Sequence, residues 1–296
     1  MTDPVIGPGR LPLSKAIGWS IAFLLLGICA SAVLLSGLAV ALYGGLTEGL
    51  NAMAKPGALQ TIVAGLSQLL GFGFATWAVG FRALRLSPYD LRWYPPRIGT
   101  RGLAVGLVLG AATAAVTLLA AVLLANSHWT RDAGGPDDYL AQVIKTALVL
   151  APAALSEEII FRGVPLVLLA SVVGRATALV IFAGVVFALF HGLNPGITPL
   201  GLGNIALAGI FLGVAFYAPG GLWTAFGAHL GWNATLAALD APVSGLPFNI
   251  PFIDYRPGDP VWLSGGRFGP EGGLLATGAI TAALLLMVRL ARKEPA

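Results

Sequence analysis

The sequence predicts an all-α protein, a polytopic bundle of about eight membrane-spanning helices. Of the 296 residues, 57% are hydrophobic and only 10% are charged, whereas about a quarter of the residues in a soluble domain are charged. The mean hydropathy is +0.84. The apolar residues also lie in long runs of about the length that a membrane helix needs. Such a helix takes about 20 apolar residues to cross roughly 30 Å of hydrocarbon.

Eight apolar runs follow one another along the chain, and each predicts a helix. Their approximate ranges are 17–43, 57–80, 102–125, 139–170, 177–193, 200–218, 222–240 and 273–290. The fourth run is longer than one span requires, so we expect it to be tilted or broken, with Pro152 as the expected kink point. The sixth and seventh runs are separated by Pro219-Gly220-Gly221, which predicts a tight turn and a helical hairpin.

The distribution of basic residues predicts that both termini are cytoplasmic. With eight spans, eleven of them fall on one side: Arg10, Lys15, Arg82, Arg85, Arg92, Arg97, Arg101, Arg175, Arg289, Arg292 and Lys293. The opposite connections hold Lys55, Arg131, Arg256 and Arg267. Cytoplasmic connections carry the excess of Lys and Arg. The first apolar run is too long for a signal peptide. We therefore expect an integral membrane protein, located in the plasma membrane.

Charge and cysteine content exclude other classes. The net charge is +4, but the basic residues lie in the connections and form no patch, so we expect no nucleic-acid partner. Cys29 is the single cysteine, which excludes an intramolecular disulfide and argues against a cysteine zinc site.

We divide the chain into three parts. Residues 1–138 are N-terminal membrane helices, 139–240 a helical core, and 241–296 a loop with a C-terminal membrane helix. The connection 241–272 is long, rich in Gly and Pro, and contains several aromatic residues. It is either a loop resting at the membrane interface, where aromatics are favoured, or a lid or substrate-binding loop.

Ionisable and polar side chains cluster inside three apolar runs, where they are costly and mark functional sites by default. The candidates are Glu157, Glu158, Arg162, Phe187, His191, His229 and Asn233. Glu158 and Arg162 are four residues apart, so they share a helix face and can form an ion pair. Glu157 points about 100° away from Glu158.

Spacing also suggests which groups meet. Phe187 with His191, and His229 with Asn233, are four residues apart, so each pair presents one face. Glu157 and His191 lie 17 residues before and after Gly174, the centre of a predicted turn. Equal offsets in an antiparallel hairpin place two residues at one level.

These groups predict hydrolysis of an acyl bond by activated water. A poorly solvated carboxylate beside an imidazole can act as a general base. A second histidine and a side-chain amide can donate hydrogen bonds to the oxyanion of a tetrahedral intermediate. No serine or cysteine nucleophile is required.

The motifs Glu-Glu-x-x-x-Arg, Phe-x-x-x-His and His-x-x-x-Asn, in that order on separate apolar helices, resemble the CPBP family of CAAX prenyl proteases and bacteriocin-processing enzymes, the Abi-type intramembrane proteases. The resemblance covers roughly residues 139–240. It implies that Glu157 with His191 activates water, and that His229 with Asn233 forms an oxyanion hole. It also implies that Glu158 and Arg162, with Phe187, support the site.

A metal remains an open alternative. Glu157, His191 and His229 could ligate zinc and leave a position open for water, and members of this family have been described as metalloproteases. No two of these ligands have His-x-x-x-His spacing, and a Glu–His pair can work without metal. We therefore expect that no cofactor is required.

Rival functions come from other classes of membrane protein. Intramembrane Glu, His and Arg also build the proton relays of transporters, although no repeat symmetry is evident here. A catalytically inactive relative acting as a scaffold or bacteriocin-immunity protein is the other alternative. For an enzyme, the expected partners are the bilayer and a peptide or membrane-protein substrate, prenylated or not.

Overall fold

The described part of the chain is predominantly helical, as predicted. A computed structural model describes residues 11–55 and 57–292; Arg10 and Lys293, used above to predict orientation, lie outside them. In chain order the elements are α1 (Leu13–Tyr43), α2 (Leu46–Met53), α3 (Ala58–Ala75), α4 (Pro96–Ala125), β1 (His128–Arg131), α5 (Pro136–Arg162), α6 (Val164–Val173), α7 (Arg175–Ala178), α8 (Phe187–Phe190), α9 (Pro199–Phe216), α10 (Leu222–Ala238), β2 (Ile253–Arg256), α11 (Val261–Ser264) and α12 (Leu274–Ala291). Thr76–Ala83 and Leu179–Val186 are π-helical, and Gly266–Phe268 and Pro270–Gly272 are 3₁₀-helical.

Five helices of the described chain are long and apolar enough to cross a membrane: Leu13–Tyr43, Ala58–Ala83, Pro96–Ala125, Pro199–Phe216 and Leu274–Ala291. Large apolar side chains remain open on their outer faces; Val33, Val108 and Leu123 are 70–71% exposed. Apolar faces of this extent suit lipid. The other predicted runs form shorter or interrupted helices, such as Arg175–Phe190.

The fourth run breaks at Gly163 and not at Pro152. Helix α5 continues through Pro152 and ends at Arg162. Gly163 has non-helical angles, φ −82° and ψ −133°, and α6 begins directly after it. Pro165 lies in the first turn of α6, where its missing N–H is tolerated. Because Pro165 cannot donate to the carbonyl of Phe161, the hydrogen bonding of α5 cannot continue past this point.

The described chain forms two compact units. The first comprises the chain up to Trp93 with Leu148–Ala178, and the second comprises Tyr94–Ala147 with Leu179 onwards. In the first unit α1 packs against α3 and α6. Gly27 lies against the ring of Phe72, a close approach that small residues permit in membrane helices. The two units do not test the predicted division into residues 1–138, 139–240 and 241–296, which stays a prediction.

In the second unit α4 packs against α10 through what we call the glycine seam, formed by Gly102, Gly106, Gly110, Gly227 and Gly231. A Cβ atom at Gly106 would meet the carbonyl oxygen of Thr224, and one at Gly231 would meet that of Leu107. The two backbones are therefore in direct contact, as in small-residue helix pairs of membrane proteins. The seam fixes α10, which carries His229 and Asn233.

The 241–272 segment is folded against the end of α10. Strand β2 within it pairs antiparallel with β1, with Trp129 opposite Tyr255. The indole of Trp129 donates a 2.7 Å hydrogen bond to the carbonyl of Leu239. Asp240 accepts backbone hydrogen bonds from Ile250 at 2.8 Å and from Tyr255 at 3.3 Å. The sequence analysis did not predict this small sheet.

Candidate active site

The first unit contains the buried ion pair expected from helical spacing. Arg162 Nη1 lies 3.2 Å from Glu158 Oε1, and both side chains are 0% exposed. The pair lies within α5, one turn apart. Removing one partner of such a pair leaves the other charge buried, so a change at either residue alone is expected to destabilise the helix that also carries Glu157.

Glu157 occupies a different environment from its neighbour Glu158. Its side chain is only half-buried, whereas that of Glu158 is fully buried. The angle of about 100° between successive helical residues explains the difference. Glu157 also interacts electrostatically with Arg162. Of the two carboxylates, Glu157 is therefore the more accessible, and its role in activating water stays a prediction.

His191 lies in the second unit, directly after α8. Its Nδ1 is 2.9 Å from the carbonyl oxygen of Phe187. A carbonyl can only accept, so Nδ1 carries the proton and donates. In a neutral ring Nε2 is then the basic nitrogen. The π-helix Leu179–Val186 precedes this turn, and such segments are frequent at functional sites.

Phe187 contacts both imidazole rings. Its ring centroid is 4.5 Å from that of His191 and 6.4 Å from that of His229, the latter in an edge-to-face arrangement. Phe187 is 2% exposed and His229 is 8% exposed. One buried aromatic ring therefore lies beside both histidines, and its supporting role stays a prediction.

His191, His229 and Asn233 line one cavity of about 40 Å³ in the second unit. A cavity needs about 10–15 Å³ of such space to hold one water molecule, so this one can hold a few. Its other walls are mainly apolar side chains of α9, α10 and α12, including Phe211 and Leu212. The structure thus brings together three of the four residues predicted to be catalytic.

The lining of the same cavity also includes Ser244 and Glu271, two polar residues of the 241–272 segment that were not predicted from the sequence. Glu271 is 5% exposed and lies three residues before the first residue of α12, Leu274. Burial raises the pKa of its carboxyl, and hydrogen bonds from Ser244 and Trp232 oppose that shift. In the sequence, the signal that could have identified Glu271 is an ionisable residue close to the start of an apolar run.

The prediction that Glu157 and His191 lie at one level is not supported by the observed helices. It assumed two uninterrupted α-helices on either side of Gly174. The structure interrupts the first at Gly163 and winds part of the second as a π-helix, so residue counts do not give depth. The pairing of Glu157 with His191 stays a prediction.

The expected absence of a metal also stays a prediction. Within residues 11–55 and 57–292, no group of three or more His, Cys, Asp and Glu side chains is arranged to hold a metal ion.

The apolar spans and the buried histidine cavity define the protein as a helical integral membrane protein with a polar site inside apolar helices. Residues 139–235 match the family model described as type II CAAX prenyl endopeptidase Rce1-like. This confirms the resemblance to the CAAX protease family over that segment, about a third of the chain. The matching segment contains all seven candidate residues, whereas Glu271 lies beyond it. No curated protein and no solved structure matches the chain.

Proposed function

We propose that this protein is an intramembrane endopeptidase that hydrolyses a peptide bond with an activated water molecule. The observation that carries the proposal is the water-sized cavity lined by His191, His229 and Asn233, within a segment that matches a family of CAAX prenyl endopeptidases. A peptide or membrane-protein segment reaching this cavity from the bilayer is the proposed substrate, and the plasma membrane is the proposed location.

The proposed reaction needs a base. Since Nδ1 of His191 donates to Phe187, Nε2 of the neutral ring is the nitrogen that can take a proton from water. The water oxygen then bonds to the carbonyl carbon of the substrate. By the sequence-based prediction, Glu157 acts with His191 in this step. A positioned base of this kind contributes about 10²- to 10⁴-fold to the rate.

The tetrahedral intermediate carries a negative oxygen that requires donors. His229 and Asn233 are one turn apart on α10 and line the same cavity, so both can donate to one oxygen atom. Loss of one such donor costs about 10²- to 10³-fold in kcat. When the intermediate collapses, the C–N bond breaks and the proton passes from the base to the leaving nitrogen. The products are a carboxylate and an amine.

The test uses purified protein in lipid vesicles and a panel of peptides: a farnesylated C-terminal peptide, its unmodified counterpart and an apolar leader peptide. Separate variants Glu157→Ala, His191→Ala and Asn233→Ala are expected to abolish cleavage while thermal unfolding stays close to wild type. His128→Ala is the matched control, because His128 is exposed and bonds to the carbonyl of Asn126.

The outcomes separate the alternatives. Cleavage that depends on His191 and Asn233 but not on His128 supports the protease. Absence of cleavage of every peptide, with biological activity retained in the variants, would favour a transporter or an inactive scaffold. Adding a chelator and measuring bound metal tests the expectation that the reaction needs no metal ion. Unchanged activity supports metal-free chemistry, whereas loss restored by Zn²⁺ would overturn it.

A further inference from the structure

Glu271 accepts hydrogen bonds from two parts of the chain at once. Its Oε1 accepts from the indole Nε1 of Trp232 at 3.0 Å. Its Oε2 accepts from the backbone N–H of Ser244 and from the Ser244 hydroxyl, the latter at 3.0 Å. Two of these three donors are N–H groups that cannot accept. The surroundings of Glu271 are therefore built for a carboxylate, although burial of a charge is costly.

The backbone at Glu271 is also held in place. Asn204 of α9 is 2% exposed, and its Nδ2 donates to the carbonyls of Glu271 at 2.8 Å and of Gly273 at 2.9 Å. Its Oδ1 accepts a 2.6 Å hydrogen bond from the Thr277 hydroxyl of α12. These hydrogen bonds hold the backbone that carries the carboxylate, unlike the backbone of an acidic residue on an unconstrained loop.

The two partners of Glu271 lie next to residues of the proposed active site. Trp232 immediately precedes Asn233 on α10. The carbonyl of Ser244 accepts a 3.0 Å hydrogen bond from Asn194 Nδ2, and Asn194 is three residues after His191. Ser244 itself has φ +49°, a left-handed conformation that is uncommon for serine. In this conformation the Ser244 N–H donates to Glu271, and the Ser244 carbonyl accepts from Asn194.

We infer that Glu271 is a positioning residue, whose carboxylate fastens the 241–272 segment to the cavity wall and so fixes Asn233 and the chain after His191. The inference rests on the proposed peptidase function of the same cavity. It also favours one of the two predicted roles of the 241–272 segment: the segment forms part of the substrate site and is more than a loop resting at the membrane interface.

The consequence for catalysis is specific. A shift of Asn233 or His191 weakens interactions that form only in the transition state, and such losses lower kcat more than they change KM. Misplacement by about 1 Å can cost about 10²-fold in rate. A general loss of packing would instead lower the stability of the whole unit.

The experiment compares Glu271→Gln, Trp232→Phe and the double variant with Glu48→Gln, the same chemical change at an exposed glutamate. Hydrogen exchange measured by mass spectrometry reports on the 241–272 segment without requiring activity. We expect faster exchange confined to this segment and to residues 192–198 in Glu271→Gln, with none in Glu48→Gln. We expect kcat to fall about 10-fold or more with KM within about twofold.

Because Trp232→Phe removes one donor of the same network, the double variant should lose less than the sum of the two single losses. Unchanged exchange, exchange raised throughout the protein, or wild-type kcat in Glu271→Gln would each overturn the inference. If wild-type protein cleaves no peptide, the proposed function fails, while exchange confined to the segment would still show that Glu271 fastens it.

Discussion

The ring of Phe187 lies 4.5 Å from the ring of His191, whose Nδ1 donates to the carbonyl of the same phenylalanine. Residue 187 therefore fixes the imidazole twice, through its side chain and its backbone. The backbone bond survives substitution, so a variant at this position isolates the contribution of the aromatic ring.

Phe187→Leu should lower kcat/KM by roughly 10- to 100-fold, because a small displacement of a catalytic group has an effect of that size. Leucine keeps most of the apolar volume, so thermal unfolding should change little. Phe190→Ala is the control, since Phe190 is 59% exposed. Wild-type kcat/KM in Phe187→Leu would show that ring packing does not position the histidines.

Gly110→Ala tests the glycine seam. Its Cβ would lie 2.8 Å from the carbonyl carbon of Ala228 and 2.9 Å from the nitrogen of Trp232, closer than unstrained packing allows. Overpacking of this kind lowers the free energy of unfolding by about 1–3 kcal/mol. Gly278→Ala is the matched control in α12, because nothing lies within 4 Å of its added methyl.

The control should be neutral or more stable by up to about 1 kcal/mol, since alanine is the better helix former. Thermal unfolding in detergent micelles measures both changes. Equal stability of Gly110→Ala and Gly278→Ala would mean that the seam tolerates side chains and does not fix α10.

Breaking the buried ion pair on one side should be more harmful than removing it entirely. Arg162→Gln leaves the Glu158 carboxylate buried and should lower the free energy of unfolding by about 3–5 kcal/mol. The double variant Glu158→Gln/Arg162→Gln leaves no buried charge behind, so it should be more stable than Arg162→Gln alone. The exposed Arg289→Gln serves as the control, and additive losses would contradict a coupled pair.

Asp240 should make stability depend on pH. Burial raises the pKa of its carboxyl, and backbone hydrogen bonds from Ile250 and Tyr255 oppose this shift. Above the ordinary aspartate pKa the unfolded chain has released this proton while the folded protein still holds it. The contribution to the free energy of unfolding is therefore greatest at low pH and declines as pH rises through the raised pKa.

Asp240→Asn should remove this decline, which unfolding measured from about pH 4 to about pH 7 would detect. Asp137→Asn, a change at an exposed aspartate, should keep the wild-type pH dependence. The same slope in Asp240→Asn as in wild type would assign the effect to another group.

Helical periodicity predicted the local parts of the site well. The Glu158–Arg162 ion pair and the shared cavity face of His229 and Asn233 follow from four-residue spacing, which depends only on the chain being helical. The sequence predicted a kink at Pro152 and not the break at Gly163. Proline inside a long membrane helix is tolerated, while Pro165, directly after the break, ends the hydrogen bonding of α5.

The rest could not be predicted because it depends on contacts between distant parts of the chain. The indole of Trp232 meets a carboxylate 39 residues later, and β1 pairs with a strand more than 120 residues away. Neither segment has a periodic pattern that identifies its partner. Glu271 stood in a Gly- and Pro-rich stretch without a motif, so only the folded 241–272 segment assigns it to the cavity.

The glycine seam has a consequence for how this protein is mapped by mutagenesis. Alanine scanning detects an interface by deleting side-chain atoms, but at Gly106 or Gly231 there are none to delete. At these positions only an added atom can weaken the packing of α10, so an alanine acts there as an insertion and not as a deletion. A library with every substitution at the seam glycines should instead show stability falling as the side chain becomes larger.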